Sequence, residues 1–374
     1  MLIAGVLSGT SLDGIDVAVC DVRSDGGAGV RVRCERFATV PFDARLRERI
    51  LAAMPPAATE ALAISALHAA IGEAFGDAVR GVAGDAPLDA VASHGVTIAH
   101  DGDARHTLQL GDAFRIRERA AATVVYDFRS ADTAAGGTGA PLVPFVDALL
   151  FGTHAPCVAL NLGGIANLTV LPEMIAFDSG PANLPMDAYV TLRTNGAARF
   201  DDGGRLALAG TPDAALLDAL LDDPYFAQTP PKSTGRERFG APYVERRRAR
   251  LDALALPDAL ATLTALTVRT VSDAVRGAAP RARLLIVSGG GARNAAIVGG
   301  LRAALPDVDV RTSDAFGVDP DAKEAIAFAV LGFATLHERA AGVPTVTGAA
   351  GARVLGALAP YALRALLDRV RTDA

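Results

Sequence analysis

The chain has 374 residues, too many for one hydrophobic core and a natural length for two domains. Hydrophobic residues make up 51% and charged residues 21%, which excludes a disordered chain. A net charge of −6 argues against a nucleic-acid partner, and the densest basic run, ERRRARL, alternates with apolar residues as a solvated helix face does. The three cysteines, Cys20, Cys34 and Cys157, form no C-x-x-C, so a reducing compartment is expected. With no basic leader and no run of about 18 uninterrupted apolar residues, neither a signal peptide nor a membrane partner is expected, and the chain reads as cytoplasmic.

In chain order, IAGVL and IDVAVCDV predict two antiparallel strands around a polar loop, and VRVRCERFATV extends the meander. Residues 42–82 take helical spacing. A strand follows at 90–93, then a helix at 112–121 and the strand TVVYDF. ADTAAGGTGAPLVP is the most linker-like segment. VDALLFG is helical, and PCVALNLGGIANLTVL predicts two strands around a second glycine turn. A strand near 175–177 leads into DSGPANLPMDAYVTL, a loop opening a helix. Helical stretches fill 211–279, LLIVSGGGARNAAIVGGL reads strand, glycine run and helix, DVDVRTS is a strand, and AKEAIAFAVLGFATLHERA is a long buried helix. Each half therefore begins with strand, glycine turn and strand, which suggests a structural duplication binding a ligand between two α/β halves.

The loop LSGTSLDGIDVAV has two readings. Ser8, Gly9, Thr10 and Ser11 offer a backbone N–H nest for phosphate oxygens, with Asp13 and Asp16 placed to hold Mg²⁺. A tight hairpin turning at Asp13 and Gly14 accounts for the same residues. In VSGGGARN, Gly289, Gly290 and Gly291 before a helix make an anion-binding corner, but Asn294 breaks G-x-G-x-x-G, and PKSTG matches a P-loop ending only superficially. Asp178 ends a strand as a general base can, and an Asx-turn or helix cap is its structural alternative. His94, His100 and His106 fit no standard zinc spacing, and no G-x-S-x-G elbow is present.

Together, GVLSGTSLDGIDVAV, SHGVTIAH, HTLQLGD, VVYDFRSADTAAGGTGAPLVP, LNLGGIANLTVL, FDSGPANLPMDA, DPYFAQTPPKSTGRE, VSGGGARN, EAIAFA and TVTGA resemble the anhydro-N-acetylmuramic acid kinase family of the sugar-kinase, heat-shock-70 and actin superfamily. The resemblance implies two actin-like, ribonuclease H-like α/β domains facing across a nucleotide and sugar cleft. The first spans 1–130, with the C-terminal helix packing back onto it, and the second spans 131–374 with a helical insertion at about 205–280. It implies ATP, Mg²⁺ and an amino sugar as small-molecule partners, domain closure and a homodimer. It assigns Asp178 as the catalytic base. Gly9, Thr10, Ser11, Asp13, Gly14, Gly163, Gly164, Gly289, Gly290, Gly291 and Asn294 would serve the nucleotide, and Asp13 and Asp16 the metal. Ser8, His94, Arg129, Asn183 and Glu324 would serve the sugar.

Three departures stand out. Val96 replaces the family's glutamine in HGQT, which removes an amide. Ala182 replaces a glycine, which predicts strain if the backbone there has positive φ. Thr138 stands where the family reads GGQGAP. These departures leave two alternatives open, a weakened sugar- or nucleotide-binding sensor and a kinase of an ordinary N-acetyl hexose.

Overall fold

The computed structural model describes residues 1–9, 12, 14–26, 29–55 and 57–373. The chain folds as two compact units, Met1–Leu149 with Ala322–Ala374, and Leu150–Asp321. Residues 131–149 and everything from 322 onward thus belong with the N-terminal unit.

The first unit is built on β1 (Leu2–Ser8), β2 (Ile15–Ser24), β3 (Val30–Val40), β4 (Ala90–Asp101), β5 (His106–Leu110) and β6 (Thr123–Tyr126). The sheet order β3-β2-β1-β4-β6 continues to a short strand at Ala357–Ala359. β1 pairs antiparallel with β2 and parallel with β4, and β4 pairs parallel with β6. The strand β5, which the sequence does not announce, folds back on the end of β4.

One face of this sheet takes the helix Ala61–Ala83, whose Leu67, Ile71, Phe75 and Val79 recur every four residues and are buried with Val6, Val17 and Val91. This helix is long and apolar enough to cross a membrane by length and composition, but its apolar stripe is this core. The other face takes the helix Lys323–Leu336. Gly5 is required there: a Cβ would lie 1.9 Å from the Ala325 carbonyl oxygen, so only glycine lets the helix sit this close. At the start of that helix, Lys323 Nζ and Asp147 Oδ1 form an ion pair of 2.7 Å with both side chains almost fully buried.

The second unit repeats the plan. β7 (Cys157–Leu162), β8 (Ile165–Leu171), β9 (Ile175–Pro181), β10 (Leu284–Ser288) and β11 (Asp309–Thr312) have the order β9-β8-β7-β10-β11. β7 pairs antiparallel with β8 and parallel with β10, which is parallel to β11. The hairpins β1–β2 and β7–β8 are therefore equivalent, as the strand–glycine–strand repeats suggest. The helix Leu256–Ala278 buries Leu260, Leu263 and Val271 in this core. Its Thr267 hydroxyl donates to the Pro181 carbonyl at 3.0 Å, pinning the end of β9. The helical stretches expected over 211–279 are the helix Ala214–Leu221, three short helices between 236 and 252 and the long helix Leu256–Ala278, with a non-helical segment at 222–235 that has its own work at Asp178.

Candidate active site

Asp178 lies on β9, half-buried, with its backbone opposite Asn167 of β8. The interrupted segment wraps it. The Thr234 N–H donates to Asp178 Oδ2 at 2.9 Å, the Asp178 N–H donates to the Lys232 carbonyl at 3.1 Å, and the Tyr225 hydroxyl donates to the Asp178 carbonyl at 2.7 Å. Lys232 in turn donates to the Tyr225 carbonyl at 3.2 Å and sits over the Tyr225 ring, 4.7 Å from its centroid. Burial pushes the Asp178 carboxyl up to about 6, helped by the nearby Glu237 carboxylate and opposed by the Thr234 N–H. Burial and the Asp178 charge likewise raise the Tyr225 phenol, while burial lowers the Lys232 ammonium. Beside this clamp opens a pocket of about 460 Å³ lined by Tyr225, Ser233, Thr234, Glu237, Arg238 and Arg246. Tyr225, Lys232, Thr234 and Glu237 are not singled out as site residues by sequence reasoning; the string DPYFAQTPPKSTGRE, whose end is a poor P-loop match, is the signal that contains them.

The glycine turns of this unit are brought together. The carbonyls of Gly163 and Gly164 accept from Asn183 N and Leu184 N, both at 3.1 Å. The Asn183 side-chain amide donates to the Leu162 and Gly163 carbonyls at 3.2 and 2.8 Å, so it clips the β7–β8 turn to the helix Asn183–Arg193. Gly289 has φ +79°, and a Cβ there would meet Asn161 Oδ1 at 2.7 Å; a Cβ on Gly291 would meet the Leu162 side chain at 2.6 Å. Gly290 faces open space. Asn294 is the N-cap of the helix Ala295–Ala304, its Oδ1 accepting from Ala296 N and Ile297 N at 3.0 and 3.2 Å. Ala182 carries φ −113° and is fully buried, so the strain expected of a positive-φ alanine does not arise.

In the first unit, Ser8 closes β1 and is buried, and its hydroxyl donates to the Gly9 carbonyl at 3.5 Å. Thr10, Ser11 and Asp13 lie outside the described residues. Leu12, not singled out by the sequence, anchors the loop: it is fully buried at φ +56°, its N–H donates to the Gly9 carbonyl and its carbonyl accepts from Arg47 Nε at 2.9 Å. A Cβ on Gly14 would meet Thr39 at 2.5 Å. Asp16 Oδ1 accepts from the Thr39 hydroxyl at 2.6 Å, which orients a hard oxygen donor at the base of the hairpin. Among the described residues, no three His, Cys, Asp or Glu side chains form a metal cage.

His94, Arg129 and Glu324 do come together. Arg129 Nε donates to His94 Nε2 at 3.0 Å, and His94 Nδ1 faces the Gly95 carbonyl at 3.2 Å, which assigns the proton to Nδ1. Burial and Arg129 hold the imidazole well below its usual range, so it is neutral. Burial lowers the guanidinium to about 10, while the Glu324 and Asp132 carboxylates favour its charge. His94 packs at a tilt of 33° against Phe328 of the helix that begins at Lys323, centroids 4.6 Å apart. Val96, the missing amide, is buried among apolar residues of the first core. The segment 130–142 is no linker: it contains the helix Ser130–Ala134 and a loop bonded to the chain near Thr347.

Two sheets of one strand order, each opened by a glycine turn between its first two strands, define the duplicated ribonuclease H-like architecture shared by actin, heat-shock-70 proteins and sugar kinases. Within that class the chain belongs to the anhydro-N-acetylmuramic acid kinase family, whose model matches residues 1–361. It is 46% identical to the anhydro-N-acetylmuramic acid kinase of Streptomyces coelicolor, over 96% of this chain and 94% of that one. The Rhodococcus erythropolis protein of the same name is 45% identical over 96% and 94%, and that of Xanthomonas oryzae pv. oryzae 44% over 96% and 97%.

Proposed function

We propose that this protein opens the bridge of 1,6-anhydro-N-acetylmuramic acid with water and transfers the γ-phosphoryl group of ATP to the released O6, a step of cell-wall recycling. The observation that carries the mechanism is Asp178, a clamped carboxylate with its proton affinity raised to about 6, near the operating range of a general base. Asp178 takes a proton from water as the water oxygen bonds to C1. The C1–O6 bond breaks, and its electron pair on O6 attacks phosphorus while ADP leaves. O6 needs no separate acid because phosphoryl transfer takes up its charge. The products are N-acetylmuramic acid 6-phosphate and ADP.

The backbone of Ser8, Gly9, Thr10, Ser11 and Gly14 is assigned to the phosphate chain and the Ser8 side chain to the sugar, with Gly163, Gly164, Gly289, Gly290 and Gly291 on the nucleotide side. Asn294 is assigned to the nucleotide and Asn183 to the sugar, and both also support those turns through the hydrogen bonds described above. Asp13 and Asp16 would hold Mg²⁺; the carboxylate of Asp16, oriented by Thr39, suits a hard cation. Bound there, the ion would neutralise phosphate charge. Arg129 is assigned to the lactyl carboxylate of the sugar, His94 to its acetamide and Glu324 to orienting sugar or water. Val96 packs in the apolar core of the first unit and Ala182 takes φ −113°, so both are accommodated without positive-φ strain. We further propose a cytoplasmic homodimer; sedimentation at working concentration checks the dimer.

The test is coupled ADP release with the anhydro sugar, followed by mass spectrometry of the product. Sugar-dependent ADP with a product that has gained one water and one phosphoryl group (HPO3) is expected. Sugar binding without ADP would establish the sensor, and ADP release with a bridge-free N-acetyl hexose but not with the anhydro sugar would establish an ordinary hexose kinase.

A further inference from the structure

Asp132 is almost fully buried in the helix Ser130–Ala134, and its two oxygens tie down two loops. Oδ2 accepts from Gly139 N at 2.8 Å, and Oδ1 accepts from the Thr347 hydroxyl at 2.8 Å. The loops are also joined directly: Thr138 N–H donates to the Thr347 carbonyl at 2.9 Å, and Ala350 N–H donates to the Ala135 carbonyl at 2.8 Å. Gly139 takes φ +74°, which turns its carbonyl onto Arg129 Nη1 at 2.7 Å. A Cβ on Gly137 would lie 2.2 Å from Asp132 Oδ2, so the carboxylate fills the space under the loop. Two of the Arg129 N–H donors are thereby fixed, one by Gly139 and one by His94.

We propose that Asp132 and Thr347 are positioning residues for sugar recognition: they hold the loop of residues 136–140 so that its Gly139 carbonyl sets the orientation of the Arg129 guanidinium and, through it, the His94 ring. The inference rests on the assignment of Arg129 and His94 to the sugar. It explains why GGTGAP and TVTGA, far apart in sequence, serve one end. A guanidinium recognises a carboxylate by a fixed planar fork, so releasing one edge of the fork weakens an anionic ligand more than it slows phosphoryl transfer.

The experiment measures kcat and the KM of each substrate for Thr347→Val, Thr347→Ser, Asp132→Asn and Arg129→Lys, with thermal melts confirming that each is folded. Thr347→Val keeps the shape and removes the hydroxyl, and should raise the sugar KM about tenfold, the effect of one lost hydrogen bond to a charged group, with kcat and ATP KM nearly unchanged. Thr347→Ser should restore the sugar KM. Asp132→Asn should shift it in the same direction as Thr347→Val, and Arg129→Lys should raise it further. If Arg129→Lys raises the sugar KM while Thr347→Val leaves it alone, or if the serine and valine variants are equally impaired, the positioning role is refuted and the Arg129 assignment survives. If Arg129→Lys leaves the sugar KM unchanged, the assignment itself is wrong and the inference falls with it.

Discussion

Replacing Asp178 by asparagine should make the protein more stable at neutral pH, and the gain should vanish in acid. The carboxyl is raised from 3.8 to about 6 in the fold, chiefly by burial, so the folded state binds this proton more tightly than the unfolded chain does. Above about 6 the group is ionised in both states and the fold carries the full penalty; below 3.8 it is protonated in both and the penalty is gone. The difference corresponds to ~3 kcal/mol at most at neutral pH, and roughly 1–3 kcal/mol once relaxation and partial solvent access are allowed for. Asparagine keeps an acceptor for the Thr234 N–H and removes the charge. Paired thermal melts of the two proteins across mildly acidic to neutral pH read the effect: the variant should melt higher at neutral pH, with the gap closing as pH falls through about 6 toward 3.8. A gap that does not change with pH, or a variant that melts lower at neutral pH, would refute burial as the source of the raised proton affinity. The same titration sets the rate, and kcat/KM of the native protein should rise with pH and level off above about 6.

Two further outcomes follow from the packing. Lys323→Met leaves the Asp147 carboxylate buried without its 2.7 Å partner and should cost about 3–5 kcal/mol, whereas Lys323→Met with Asp147→Leu should recover most of it; urea denaturation of both measures this. Asn294→Ala removes the cap of the helix Ala295–Ala304 and should cost about 1 kcal/mol by the same method, and a loss of ATP affinity beyond that would mark a direct nucleotide contact.

The hairpins and glycine corners are legible in the sequence because their signals are local: glycines and hydroxyls between β-branched runs can hardly be anything but turns between strands. Asp178 is legible as an acid next to an apolar run, but β9 continues through Pro181, so it lies within the strand and not at its end as the Gly-Pro signal suggests. Its surroundings are not, since Tyr225, Lys232 and Thr234 reach it from about fifty residues away and no spacing rule encodes that meeting. The segment ADTAAGGTGAPLVP misleads in a particular way. Its glycines signal turns truthfully, but composition does not reveal that a buried carboxylate in its midst bonds to Thr347. The strand β5 escapes the sequence reading because it is only five residues long and gains its order from pairing with β4, although the Asp101-Gly102 pair in the preceding turn is a hairpin signal that could have found it. Ala182 stands out by its motif alone, and its φ of −113° removes the concern.

The central claim is that Asp178 activates the water that opens the sugar bridge. Its most direct test is turnover by Asp178→Asn in the coupled ADP assay, with sugar affinity measured alongside by calorimetry. Loss of a positioned base should lower kcat by at least about a hundredfold while sugar affinity stays within a few-fold of the native value. Near-native turnover in the folded variant would contradict the claim and move the base to another residue.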